Sequence, residues 1–238
     1  MSACQKKSVS CFACCGLANL NLTSEQKDDI LVRRTEQFEE LNMDFSLFPE
    51  FRRSREDQEA SIPRHNPETY VCPFLGYIEP HRPGCLIHPA RTGDSKSQNY
   101  SFYGASICLG YDCPAKEGEE ETHSSLYSDF LEANLKSEYH RLVCDSELYS
   151  LLETITDFPD SVCRGSEASG LLVRLLKLRL NHPQSQRITS FERLMVRSRD
   201  SEAVMALFRQ QDWQEARETL LELEQIATVA SAEKRNPQ

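Results

Sequence analysis

Val71-Cys72-Pro73-Phe74-Leu75-Gly76 opens a stretch in which neither a long helix nor a central strand can persist. Seven of the eleven prolines fall between Pro63 and Pro114, and five of the nine glycines between Gly76 and Gly110. Proline removes a backbone donor and fixes φ, and glycine weakens either regular element, so this stretch predicts turns and short pieces of strand. Such loops need an organiser, and bound metal can supply one. The cysteines point the same way. Eight of the ten lie in the first 113 residues: Cys4, Cys11, Cys14, Cys15, Cys72, Cys85, Cys108 and Cys113. Only Cys144 and Cys163 fall later, where they read as buried core thiols.

The N-terminal group is spaced Cys4-x6-Cys11-x2-Cys14-Cys15-Gly16. Two residues between thiolates allow a tight turn to aim both sulfurs at one ion. Adjacent cysteines leave the backbone in diverging directions, so Cys14 and Cys15 are expected to serve two ions, or an ion and a structural contact. The downstream group reads Val71-Cys72-Pro73-Phe74-Leu75-Gly76, Gly84-Cys85-Leu86-Ile87-His88-Pro89 and Ile107-Cys108-Leu109-Gly110-Tyr111-Asp112-Cys113-Pro114. Eight cysteines can complete two four-sulfur sites, or one cluster with spares. His88, three residues after Cys85, is either a substitute ligand or a turn residue ahead of Pro89.

In motif order and in the wording Cys-Pro-Phe-Leu, residues 4 to 114 resemble the YkgJ-type cysteine-cluster proteins, described as zinc- or iron-chelating domains. Where that family often places an Arg-Pro pair before its next cysteine, Phe102-Tyr103-Gly104 stands here. The resemblance implies metal chelation and little beyond it. The ligand set it supports is Cys4, Cys11, Cys14, Cys15, Cys72, Cys85, Cys108 and Cys113. Zinc and iron–sulfur clusters both accept four cysteines, and the irregular intervals match neither the usual ferredoxin spacings nor paired zinc knuckles. The identity of the metal stays open between them.

The rest of the chain carries helical periodicity. Thr23 with Gln26 makes a capping-box pattern, followed by Ile30, Leu31, Arg34, Phe38, Leu41 and Phe45 at roughly helical spacing, with Arg34 the one polar member. A second helix is predicted from Pro49 to about Glu59. Tyr127, Phe130, Leu131, Leu135, Tyr139 and Leu142 form one apolar stripe, and Leu148, Leu151, Leu152 and Ile155 another, with Asp145 as its N-cap. Leu171, Leu172, Leu175, Leu176 and Leu178 mark a further helix, ended by Asn181-His182-Pro183. Thr189 with Glu192 and Asp212 with Glu215 are two more capping signatures, and the tail after Ala230 is expected to fray. Ala206-Leu207-Phe208, Asp212-Trp213 and Ala216 look like a tetratricopeptide hairpin. No repeat accompanies them, so ordinary bundle packing with Trp213 as a core or interface anchor is expected.

The fold class expected is therefore mainly α: residues 1–115 form an irregular, metal-bound cysteine module with a helical hairpin insertion, and residues 116–238 a helical region. The acidic run Lys116 to Thr122 is the natural boundary. The first half is expected to bury little apolar surface alone.

A net charge of −10, from 37 acids against 27 Lys and Arg, argues against a nucleic-acid partner, because phosphate binding needs a basic face. Arg174, Lys177 and Arg179 read as a solvated helix face rather than a basic patch. No apolar run is long enough to span a membrane and no secretory signal begins the chain, so a cytoplasmic location is the expectation. No P-loop, dinucleotide glycine motif or Gly-x-Ser-x-Gly elbow is present, so enzymatic activity has no signature. Three readings follow: a structural metal site with the helical half as a surface for a protein partner, a redox or catalytic iron–sulfur protein, or a thiolate module that handles mobile zinc or iron.

Overall fold

A computed structural model of the protein describes residues 8–102, 104, 122–186 and 206–235. The chain is mainly helical, with one small two-stranded sheet. It divides into two compact units, one formed by Phe12–Asp112 and the other by Met1–Cys11 with Cys113–Gln238. The division near residue 112 falls close to the expected boundary, but the N-terminal segment through Cys11 belongs with the helical unit. The Lys116–Thr122 run lies largely outside the described residues, as do Thr189 and Glu192.

In the cysteine-rich unit the first helix, α1 (Ser24–Glu39), begins as its sequence predicts. The Thr23 side chain accepts from the Gln26 amide at 3.2 Å, and the Gln26 side chain accepts from the Thr23 amide at 3.0 Å. Two residues with positive φ, Asn42 and Met43, reverse the chain. Asp44 then caps a short 3-10 turn, Phe45–Leu47, ahead of α2 (Phe48–Glu59). Strands β1 (Leu75–Glu79) and β2 (Arg82–Cys85) pair antiparallel with Leu75 opposite Cys85, and His81 takes a positive φ in the turn. A single helical turn, α3 (Pro89–Thr92), follows.

These short elements share an apolar interior that the sequence undersold. Phe38 packs on Phe48 and Phe51 with ring centroids 5.0 and 5.5 Å apart, and Phe51 meets Phe74 at 5.4 Å. Phe38, Phe48 and Phe74 are essentially inaccessible to solvent. Each such ring buries about 150–250 Å² and contributes specific edge or offset contacts besides. A second cluster joins Leu17, Leu20, Ile30, Leu31, Val71 and Leu75. The expectation of a first half with little core of its own is therefore corrected: hydrophobic residues spaced far apart in sequence supply one.

Two buried polar residues hold the loops on this core. Arg34, the polar member of the α1 stripe, is fully buried; its Nη1 donates to the carbonyls of Cys72 at 2.9 Å and Leu75 at 3.3 Å. Its Nε donates to Glu59 Oε1 at 3.0 Å, and its Nη2 completes the forked pair with the same carboxylate. Asn19, also fully buried, donates to the carbonyls of Asn66 and Thr69 and accepts from the Asn66 amide.

In the helical unit the elements run α4 (Thr122–Asn134), α5 (Tyr139–Leu142), α6 (Ser146–Leu152), α7 (Asp160–Cys163), α8 (Ser166–Leu180) and α9 (Trp213–Arg235). The stripe from Tyr127 to Leu142, read as one helix, is broken: Leu135 leaves the helical region and a 3-10 turn, Lys136–Glu138, separates α4 from α5. Side-chain spacing survives such a break, which is why it is invisible in the pattern. Leu131, Leu148, Leu152, Leu172, Leu175, Leu176, Ala216 and Leu223 lie in one buried cluster.

Asp145 caps α6, accepting from the Leu148 amide at 3.1 Å. Its other carboxylate oxygen takes the Nε of Arg179 at 2.8 Å, and both side chains are buried. Arg179 also reaches the Leu207 carbonyl at 2.8 Å. The solvated face expected of Arg174, Lys177 and Arg179 is thus corrected at Arg179, while Arg174 pairs with Glu215. The last helix begins at Trp213, directly after Asp212, where the signature places a helix start, and the Asp212 carboxylate is held by Arg209 at 2.6 and 3.1 Å. The expected fraying is corrected: α9 continues to Arg235, past Ala230. Trp213 is 40% exposed and its indole donates to the Phe208 carbonyl, so the core placement expected of it is corrected and Leu207, Phe208 and Ala216 fill this corner. No helix among the described residues is long and apolar enough to cross a membrane.

Removing one partner of a buried ion pair leaves the other uncompensated, at a cost of about 3–5 kcal/mol. Arg179→Leu is expected to destabilise the helical unit by about that much in urea titration followed by circular dichroism. An effect below about 1 kcal/mol would place Arg179 among dispensable surface pairs.

Candidate functional site

Residues Ala13–Cys15 form one turn of 3-10 helix, closed by Gly16 with φ of +75°. Glycine is required there twice over. L side chains rarely adopt that φ, and a Cβ on residue 16 would stand 2.4 Å from the Tyr70 carbonyl oxygen. That close approach lays the turn against the Tyr70–Cys72 segment, where the Cys72 amide donates to the Cys15 carbonyl at 2.9 Å. Arg34 fixes the same segment from the α1 side through the Cys72 carbonyl. Cys85 arrives at the end of β2, paired with Leu75 in the hairpin register, and the Gln98 amide nitrogen lies 4.0 Å from its sulfur.

Cysteines from three separate stretches of the sequence thus share one neighbourhood. Interaction with the Cys15 side chain lowers the Cys14 pKa below that of an ordinary thiol. Cys15 is pushed well up, first by its interaction with Cys14, then by burial, then by negative charge on Cys14, Cys72 and Cys85. Cys14 is exposed, Cys15 and Cys85 are half-buried, and Cys72 is buried.

The chemistry of this donor set suits a soft ion, since thiolates favour zinc and iron–sulfur clusters. Among the described residues, however, no three Cys, His, Asp or Glu side chains converge closely enough to hold a metal ion. Cys4, Cys108 and Cys113 lie outside the described residues. Cys11 belongs to the helical unit, where its sulfur stands 3.9 Å from the His140 carbonyl oxygen. Cys144 donates to that same carbonyl at 3.0 Å and is buried, as a core thiol should be. Cys163 is half-buried, and burial and Asp160 push its thiol up to about 12.

The histidine beside the cluster has a local role. His88 Nδ1 accepts from the Ala90 amide at 3.1 Å, so it caps α3 ahead of Pro89. Burial lowers its pKa, which keeps the ring neutral and able to accept. Sequence reasoning missed Gly16 and Arg34 as the residues that assemble the site. Gly16 could have been found from its place directly after paired cysteines, and Arg34 from its place in an apolar stripe.

Compared with protein-family models, curated proteins and solved structures, the chain matches none.

Gly16→Ala is expected to cost at least about 1–3 kcal/mol through backbone strain and to detach the Cys14–Cys15 turn. Loss of protection of the Cys72 amide in hydrogen exchange checks this, and unchanged protection would contradict the close approach. Alkylation by iodoacetamide, mapped by peptide mass spectrometry on metal-free protein, is expected to mark Cys14 first. Cys163 should resist until the pH nears 12 or the helical unit unfolds.

Proposed function

We propose that this protein binds a soft metal ion, zinc or iron in an iron–sulfur cluster, through the thiolates of its cysteine-rich unit. Cys14, Cys15, Cys72 and Cys85 form the heart of the site, with Cys108 of the same unit as a further ligand. The observation that carries this reading is the docking of the Cys14–Cys15 turn against Cys72 through Gly16, with Cys85 close enough to act on the Cys15 thiol. Thiols gathered at such range repel one another when ionised, and a cation removes that repulsion. The resemblance to YkgJ-type cysteine-cluster proteins points the same way. In this reading the metal is structural, and the helical half offers the surface for a protein partner.

A second reading, a thiolate module that handles mobile metal, is favoured by one specific feature. Arg34, Asn19 and the phenylalanine cluster already hold the loops of this unit. A site whose surroundings persist without its ion can release that ion without unfolding. A structural site cannot.

Metal analysis by mass spectrometry, with an absorption spectrum on protein purified without oxygen, tests the proposal. Bound zinc without colour, or iron with sulfide and a brown chromophore, is expected. Cys15→Ser and Cys72→Ser should lose that metal, while Cys163→Ser keeps it. Protein containing no metal would overturn the proposal. Chelation then separates the two readings: unfolding on metal loss marks a structural ion, and a retained circular dichroism spectrum marks a handling module.

A further inference from the structure

Three arginines are buried among the described residues, and two of them are fully explained. Arg34 and Arg179 each hold a carboxylate and at least one backbone carbonyl. The third is Arg55, 3% exposed, on the face of α2 that continues from Phe48 and Phe51. An apolar side chain would be expected there. Instead a guanidinium lies covered, and its Nε and Nη2 have no hydrogen-bond partner among the described residues.

The nearest charges do not neutralise it. Desolvation is the largest influence on Arg55, ahead of the attraction of Glu59. Glu59 is already engaged by the fork of Arg34, and Arg34 and Arg33 add positive charge nearby. Arginine cannot escape by losing its proton. One turn back on the same helix, Arg52 donates through Nη1 to the Tyr100 carbonyl at 3.3 Å. Its Nε is buried with no hydrogen-bond partner; the Glu56 carboxylate stands 3.7 Å away and accepts from the Tyr70 hydroxyl. A water molecule would satisfy these donors in number but would leave the charge uncompensated.

We propose that Arg55 forms a binding site for a small oxyanion, a phosphate or carboxylate group. The Nε and Nη2 edge of a guanidinium presents two parallel donors, which match two oxygens on one carbon or phosphorus. The site is separate from the thiols and does not depend on whether they carry metal.

The experiment is isothermal titration of the full-length protein with inorganic phosphate and, separately, with acetate, against sodium chloride at matched ionic strength. The wild type is expected to bind phosphate or acetate with one-to-one stoichiometry; the anion that binds tighter identifies the source. Arg55→Gln should abolish binding, and Arg55→Lys, which keeps the charge without the paired donors, should weaken it about tenfold. Thermal melts in anion-free buffer provide the second readout. There Arg55→Met should melt above the wild type, because it removes an uncompensated charge, and saturating anion should close the gap. No binding of either anion, equal binding by Arg55→Gln, or an Arg55→Met melt below the wild type in anion-free buffer would each overturn the proposal.

Discussion

The cysteine-rich unit depends on one guanidinium. Arg34 sits where the α1 stripe calls for an apolar side chain, and it ties α1 to α2 through Glu59 and to the proline-rich loop through two carbonyls. Those carbonyls belong to Cys72 and Leu75, which flank Pro73 and Phe74, so the loop is caught at both ends of its turn. A chain with so few regular strands has many backbone acceptors to satisfy, and each one left unpaired in the interior is costly. Arg34 answers two of them with one side chain. The same residue therefore sets the position of Cys72 and, through the Cys72 amide, that of the Cys14–Cys15 turn.

Helices were legible where their signals are local. The Thr23–Gln26 box and the Asp145 cap each act within four residues, and both appear as the sequence reads them. The hairpin of β1 and β2 fits the expectation of short strands among turns. What escaped was non-local. The partner of Arg179 is Asp145, more than thirty positions earlier, so its burial cannot be seen from the charged helix face on which it stands. The phenylalanine cluster draws on α1, α2 and the loop at Phe74, and no periodicity links those three places. Asp212 and Glu215 mark the start of the last helix locally, but their pairing with Arg209 and Arg174 is not written in that local pattern.

The same distinction governs the thiols. Spacing in sequence grouped Cys11 with Cys14; a 3-10 turn closed by a left-handed glycine carries Cys14 and Cys15 within one unit, and Cys11 falls in the other. Which cysteines share a neighbourhood was written less in the intervals between them than in Gly16, whose missing side chain allows two backbone segments to touch.

That contact also has a timing. The Cys14–Cys15 turn cannot dock until Tyr70 to Cys72 exist, roughly sixty residues later, and the hairpin that brings Cys85 comes later still. At a synthesis rate of about 5–20 residues per second, the first pair of thiols waits several seconds for its neighbours. During that interval the N-terminal sulfurs of a nascent chain are the most exposed that they will ever be.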